Sequence, residues 1–205
     1  MGSSPKRLDR VAKVTGAARY AGDIRLPGML RARILRPPAH GATPRSVDTS
    51  AAEAVAGVTV VNQDGLVAVL HEDREVADRA LELIKADFDV PEATVDDRTI
   101  WDHLVAAAPT GRTGESAGDL AAGERASTKV YEHTYTDGYL AHAPIEPHTS
   151  LANVEGDRIT VWSSTQSPFG DQGRIARALG IDQSNVRVIT PYVGGGFGGK
   201  ASGGQ

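Results

Sequence analysis

The chain has no cysteine in its 205 residues. Disulfides, thiolate zinc centres, iron–sulfur ligation and cysteine nucleophiles are therefore excluded within it. It also lacks a strong charge of either sign. Twenty-two basic residues face 26 acidic ones, a formal net charge of -4, which offers no general field for nucleic acid or an anionic membrane. Long apolar runs are missing, so no span of a bilayer is expected. The opening "MGSSPKRLDR" has no apolar core of a secretory leader, and a cytoplasmic location is expected, or a periplasmic one if a leader has been removed. No internal repeat is visible. What remains is a 40% hydrophobic composition, suited to a globular protein of one or two domains.

Several segments carry local signals. Leu30, Ala32 and Ile34 alternate with Arg31, Arg33 and Leu35, a strand pattern that Pro37-Pro38 stops. Ser50 and Glu53 have capping-box spacing before a short helix that Gly57 ends. "VTVVNQDGLVAVLHED" predicts two strands joined at Asn62-Gln63-Asp64-Gly65. Asp73 can cap a helix on which Val76, Ala80, Ile84 and Phe88 recur every four residues, up to a stop at Pro91. Residues 18–90 thus read as a small β-α-β-β-α unit. "IWDHLVAAAP" suggests a short helix, and the Gly-, Ser- and Thr-rich "TGRTGESAGDLAAGE" a linker. Beyond it, "STKVYEHTYTDGYLAHAP" reads as strand, with Val130, Glu132 and Thr134 opposite Tyr131, His133 and Tyr135. "TSLANVEGDRITVWSST" is a hairpin turning at Glu155-Gly156-Asp157. Ser167, Pro168 and Gly180 bracket a helix, and "NVRVITPYV" is a last strand.

That strand runs into "VGGGFGGKAS". Gly194, four residues, Gly199 and Lys200 nearly spell the phosphate loop G-x-x-x-x-G-K-[ST]. The match fails in register. Ala201 stands where a hydroxyl should hold magnesium, "ASGGQ" supplies no following helix, and Phe197 crowds the cradle. A loose glycine tail is the simplest reading of the segment alone. Yet an aromatic among five glycines suits a backbone pressed against a flat ligand or metal centre, with its amides exposed as donors. "HAPIEPHT" invites a similar test. His142, Glu146 and His148 look like a metal set, but Pro144 and Pro147 forbid the helix on which such a set is built. No direct protein–metal ligand is expected. His40, His71, His103 and His133 are expected at the surface or at strand edges.

Four stretches in order resemble one family. "AKVTGAARYAGDIRLPGMLRARILRPPAHG", "AHAPIEPHTSLA", "VWSSTQSPFG" and "VGGGFGGK" are similar to segments of the molybdenum-binding subunit of the xanthine dehydrogenase and aldehyde oxidase family, the molybdenum hydroxylases. The resemblance covers about residues 10–200. It implies an α+β protein in which an α/β-hammerhead domain precedes the first part of a mixed α+β molybdopterin-binding domain. The corresponding divisions are an extended tail over 1–15, the hammerhead over 16–110, a linker over 111–124 and the cofactor-binding part over 125–205.

The same resemblance implies site residues. Gln166 matches the glutamine that hydrogen-bonds the metal's apical oxygen. Phe197 and Gly198 match the Phe-Gly beside the metal on the substrate side, and Gly195 and Gly196 would offer backbone to the cofactor. Glu146 and His148 are further candidates for the pocket wall. The implied cofactor is molybdopterin with molybdenum, a cytosine dinucleotide form being one option. The implied reaction oxidises an aldehyde or N-heterocycle with water as oxygen source. The implied partners are the remaining C-terminal part of the molybdenum subunit, a 2Fe-2S subunit, and a subunit carrying FAD or haem.

Departures mark the limits of the match. In purine-oxidising relatives a Glu follows the loop lysine, and here Ala201 stands there. The family's catalytic carboxylate and most cofactor contacts lie in downstream sequence that this chain does not contain. A catalytically inactive structural or assembly subunit, and a phosphate-loop nucleotide-binding domain, are the competing readings.

Overall fold

The computed structural model describes residues 2–201, so Ser202 and the tail after it lie outside the described residues. The chain divides into two compact units, one of Gly28–Gly138 and one of Met1–Pro27 with Tyr139–Gln205. This differs from the divisions at 16, 110 and 124 expected from sequence. The reason is local: Tyr20 forms a parallel bridge with Tyr192, and Tyr192 N–H donates to Arg19 O at 3.2 Å. The N-terminal segment therefore belongs to the later unit. It is not wholly extended either, because α1 (Arg10–Val14) forms, with Asp9 paired to Lys13 at 2.7 Å.

The unit Gly28–Gly138 holds β1 (Arg31–Ile34), β2 (Thr43–Asp48), α2 (Ser50–Glu53), β3 (Thr59–Gln63), β4 (Leu66–His71), α3 (Arg74–Glu82), β5 (Lys85–Asp89), α4 (Ile100–Ala107) and α5 (Leu120–Ala126). β1, β4 and β3 form an antiparallel sheet in that order, and β2 pairs antiparallel with β5. Asp64 and Gly65 both take positive φ, 50° and 80°. That is the twist a two-residue hairpin demands, and it tightens the expected four-residue turn. The core is Ala52, Val67, Val69, Ala80 and Ile84, with Leu35, Val47 and Val60 packed against it. Asp73 Oδ1 caps α3 by accepting from Glu75 N at 2.7 Å and Val76 N at 3.4 Å. An ion pair from Arg33 to Asp78 ties β1 to the same helix.

Several expectations are corrected here. α3 stops at Glu82 instead of running to Pro91; Ile84 lies between helix and strand, in the core, and Phe88 falls in β5. A spacing of four residues is a multiple of the strand period of two, so it did not discriminate between the two forms. In β5, Ala86 and Phe88 are half-buried while Lys85, Asp87 and Asp89 are exposed. β2 carries Pro44 and polar neighbours and shows no alternation to read. α2 begins after Thr49, whose Oγ1 donates to Glu53 Oε1 at 2.6 Å without capping a backbone N–H, so the expected Ser50–Glu53 capping box does not form. α5 takes up the end of the expected linker and runs past it, capped by Asp119 accepting from Ala122 N at 2.9 Å. Residues 129–144 form no strand, and Val130, Tyr131 and Tyr135 are exposed.

The other unit holds α1, a 3-10 turn over Ala21–Asp23, β6 (Ser150–Glu155), β7 (Arg158–Ser163), α6 (Pro168–Leu179) and β8 (Val186–Ile189). β6 and β7 are an antiparallel hairpin; β7 and β8 are parallel, with α6 as the crossover. α6 starts at Pro168 and ends at Gly180, which adopts the left-handed C-cap at φ 65°. Ser167 gives it no side-chain cap, against expectation; its own N–H donates to Thr165 Oγ1 at 2.9 Å. Val161, Ala176 and Val186 are buried between sheet and helix. No helix among the described residues is long and apolar enough to cross a membrane.

Candidate cofactor-facing site

The site grows from two strand ends and one turn, all in the same unit. β7 ends at Ser163, and the next residues, Ser164 and Thr165, are buried. Buried hydroxyls need partners. Ser164 Oγ accepts from Thr149 N at 3.1 Å, and Thr165 Oγ1 donates to Lys200 O at 3.3 Å. Gln166 N also donates to Lys200 O, at 2.9 Å. The Thr-Gln segment is thereby stitched to the far end of the glycine loop.

The loop follows β8. Gln166 Oε1 accepts from Gly198 N at 3.2 Å and Lys200 N at 3.3 Å. Two backbone donors on one side-chain atom require a carbonyl oxygen there, which fixes the orientation of the amide. Its Nε2 makes no hydrogen bond among the described residues and remains an unspent donor at an exposed position. The approach is close. A methyl group added at Gly196 would fall 2.4 Å from Gln166 Oε1, so only glycine lets this side chain lie against the loop.

At the loop's apex Phe197 takes φ 53°, a left-handed conformation for a bulky residue, and is 74% exposed. Such a backbone costs about 1–2 kcal/mol and persists only where the surroundings over-determine it. Here they do: Gly199 N donates to Gly196 O at 2.7 Å, and Ala201 N donates to Gly198 O at 3.0 Å. Gly195, Gly196 and Phe197 donate no backbone hydrogen bond among the described residues.

Lys200 closes the loop and points inward. Its residue is 1% exposed, and its Nζ donates to Glu146 Oε2 at 2.9 Å. The same oxygen accepts from Gly194 N at 2.7 Å, and Glu146 N donates to Gly194 O at 3.4 Å. Glu146 Oε1 is buried without a partner among the described residues. The lysine that mimics a phosphate-loop residue is thus committed to a carboxylate, which leaves no amine for a nucleotide. His142 lies alongside: a methyl at Gly199 would fall 3.0 Å from its Cγ.

The structure therefore brings Glu146, Gln166 and the loop Gly195, Gly196, Phe197 and Gly198 together. His148 is exposed and shares no hydrogen bond with the loop among the described residues. His142, Glu146 and His148 do not form a metal set, and no group of three His, Asp or Glu among the described residues is placed to hold an ion. Sequence reasoning missed the role of Lys200, whose partner lies 54 positions away, and the packing of His142 on the loop. No local pattern signals either contact.

Residues 105–204 match the molybdopterin cofactor-binding domain family. The chain belongs to the molybdenum hydroxylases, the family of xanthine dehydrogenase and aldehyde oxidase, and corresponds to part of their molybdenum-binding subunit. It is 31% identical over 209 residues to a nicotinate dehydrogenase subunit of Pseudomonas putida, covering 97% of this chain and 18% of that protein. It is 28% identical over 238 residues to the nicotinate dehydrogenase large molybdopterin subunit of Eubacterium barkeri, covering 98% and 55%. With the xanthine dehydrogenase molybdenum-binding subunit of Escherichia coli O157:H7 it shares 29% identity over 243 residues, covering 95% and 32%. The chain thus spans only part of the length of each relative. The fold agrees with solved structures. Quinoline 2-oxidoreductase from Pseudomonas putida 86 superposes at a TM-score of 0.73, with 24% identity, over 98% of this chain and 31% of that one. Aldehyde oxidoreductase from Desulfovibrio gigas superposes at 0.75, with 21% identity, over 97% and 27%.

Proposed function

We propose that this chain supplies one wall of a molybdenum–pterin site in a hydroxylase that oxidises an aldehyde or N-heterocyclic substrate with water as oxygen source. The observation that carries this reading is the amide of Gln166. Its oxygen is spent on the loop and its Nε2 is left as a donor, beside the unspent backbone N–H groups of Gly195, Gly196 and Phe197. A set of neighbouring unpaired donors suits an electron-rich group, so the residues present fit the expected cofactor. When bound, that cofactor supplies the two-electron oxidation.

The chain's own residues would hold and orient. Gln166 donates a hydrogen bond from a group that stays neutral at working pH. The glycine amides approach closely because no side chains intervene. Phe197 offers an apolar face at the exposed apex, suited to a flat substrate. Glu146 is committed to Lys200 and Gly194, so the carboxylate that accepts the substrate's proton belongs to another part of the enzyme. That part, whether the rest of the molybdenum subunit or another chain, completes the site. The 2Fe-2S centre and the FAD or haem expected downstream in electron flow belong to partner subunits. The cytosine dinucleotide form of the pterin, an α/β-hammerhead assignment for the earlier of the two domains and a cytoplasmic location complete the proposal.

The test is a complex purified through a tag on this chain. Molybdenum and pterin are measured, then turnover of nicotinate and of benzaldehyde. Gln166→Ala is expected to lower kcat about 100-fold, the typical cost of removing one positioned donor, with assembly intact. An intact wild-type complex without molybdenum would overturn the proposal and favour a structural role.

A further inference from the structure

We infer that Glu146 and Lys200 are positioning residues for Gln166, acting through a buried ion pair that sets the glycine loop; the inference rests on the function proposed above. The loop is tied to the rest of its unit at both ends, while the N–H groups of Gly195, Gly196 and Phe197 at its tip stay free among the described residues. At the entry, Gly194 N donates to Glu146 Oε2 at 2.7 Å; at the exit, Lys200 Nζ donates to the same oxygen at 2.9 Å. One carboxylate oxygen thus receives both ends and draws them together.

The exit end then fixes the amide. Lys200 offers its N–H to Gln166 Oε1 and its carbonyl to Gln166 N and Thr165 Oγ1. With the lysine side chain fully buried, its backbone cannot turn without breaking the pair. The outward aim of Gln166 Nε2 follows from that of Lys200, and that of Lys200 from Glu146. The entry end is equally confined: a methyl at Gly194 would fall 2.6 Å from Glu146 Cβ. The close fit leaves Glu146 no room to release the loop by a small shift.

A pair that serves stability alone and a pair that serves positioning make different predictions. Removing one partner strands a buried charge and destabilises, whereas removing both charges together is often neutral. The double variant E146Q/K200M therefore separates the roles. In the purified complex we expect its thermal midpoint and molybdenum content to match wild type. We expect kcat on nicotinate or benzaldehyde to fall about 100-fold, the cost of a misplacement of roughly an ångström, with KM little changed. We also expect hydrogen–deuterium exchange of the peptide spanning Gly194–Lys200 to quicken at least about tenfold, since an amide that loses its acceptor opens more readily.

A double variant that is stable and keeps both wild-type kcat and wild-type exchange overturns the inference. Should it fail to assemble, E146D carries the test: it keeps the charge but shortens the reach, and the same two readouts decide. If the wild-type complex holds no molybdenum, the proposed function fails, and loop exchange alone judges the positioning role.

Discussion

Two segments of this chain lack regular structure and carry exposed aromatics, yet they differ in kind. Residues 129–144 run without a ladder, and Val130, Tyr131 and Tyr135 are 71%, 77% and 89% exposed. The loop Gly194–Lys200 also has no ladder, and Phe197 is as exposed as those residues. But nearly every polar group at the loop's two ends has a named partner, while its tip keeps free donors. The difference teaches that order without secondary structure is an accounting of donors and acceptors. Exposure of an aromatic says little by itself.

The strongest blow to this contrast is Gly196→Ala. The added methyl meets Gln166 Oε1 at 2.4 Å, so the side chain or the loop must shift. If the exposed side chain gives way, its two bonds to the loop are lost, each worth about 0.5–1.5 kcal/mol. A urea unfolding curve is expected to show that loss, with loop exchange quickened. An unchanged midpoint would put the loop in the same class as residues 129–144.

Limited chymotrypsin digestion of the chain sharpens the contrast with a smaller effect. The first cuts are expected after Tyr131 or Tyr135 rather than after Phe197, because cleavage needs a segment that opens, not merely a visible ring. Peptide mapping of early time points reads the order. An initial cut at Phe197 breaks the comparison.

The smallest effect concerns a pair outside both segments. The Arg33 guanidinium hydrogen-bonded to Asp78, with Arg74 nearby, holds the Asp78 carboxyl below its ordinary value of 3.8. The folded-state pKa is depressed, so the pair's contribution is complete above 3.8 and lost as pH falls through the folded value. Asp78→Asn is expected to be slightly less stable than wild type at neutral pH, with the gap closing below the carboxylate range. Both side chains are part-exposed, so screening keeps the effect small. Denaturant midpoints in neutral and in acid buffer check this; a gap that persists in acid rules it out.

Legibility in the sequence follows the same accounting. The β3–β4 hairpin was readable because Asp64-Gly65 supplies the positive φ its turn requires. α6 was readable from Pro168 and Gly180 at its ends. These are local signals with local causes. β5 was misread because Ile84 and Phe88 satisfy a helical and a strand period alike, and its partner β2 lies some forty residues upstream. Tyr131 and Tyr135 alternate like strand residues but find no ladder among the described residues. At the site, the glycine loop and Gln166 stood out as motifs in a family order. The Glu146–Lys200 pair did not, because an ion pair across 54 positions leaves no spacing to recognise.

The tie between Arg19 O and Tyr192 N bears on how the protein is made. Synthesis runs from the N-terminus, so residues near Arg19 emerge from the ribosome long before their partner does. Until Tyr192 arrives, the early segment has no bridge to join, and the glycine loop two residues further on has no anchored strand to follow. The loop and the Gln166 contacts that depend on it therefore form only after Tyr192 has been made. Under the proposed function, cofactor would be loaded there only after this region has left the ribosome.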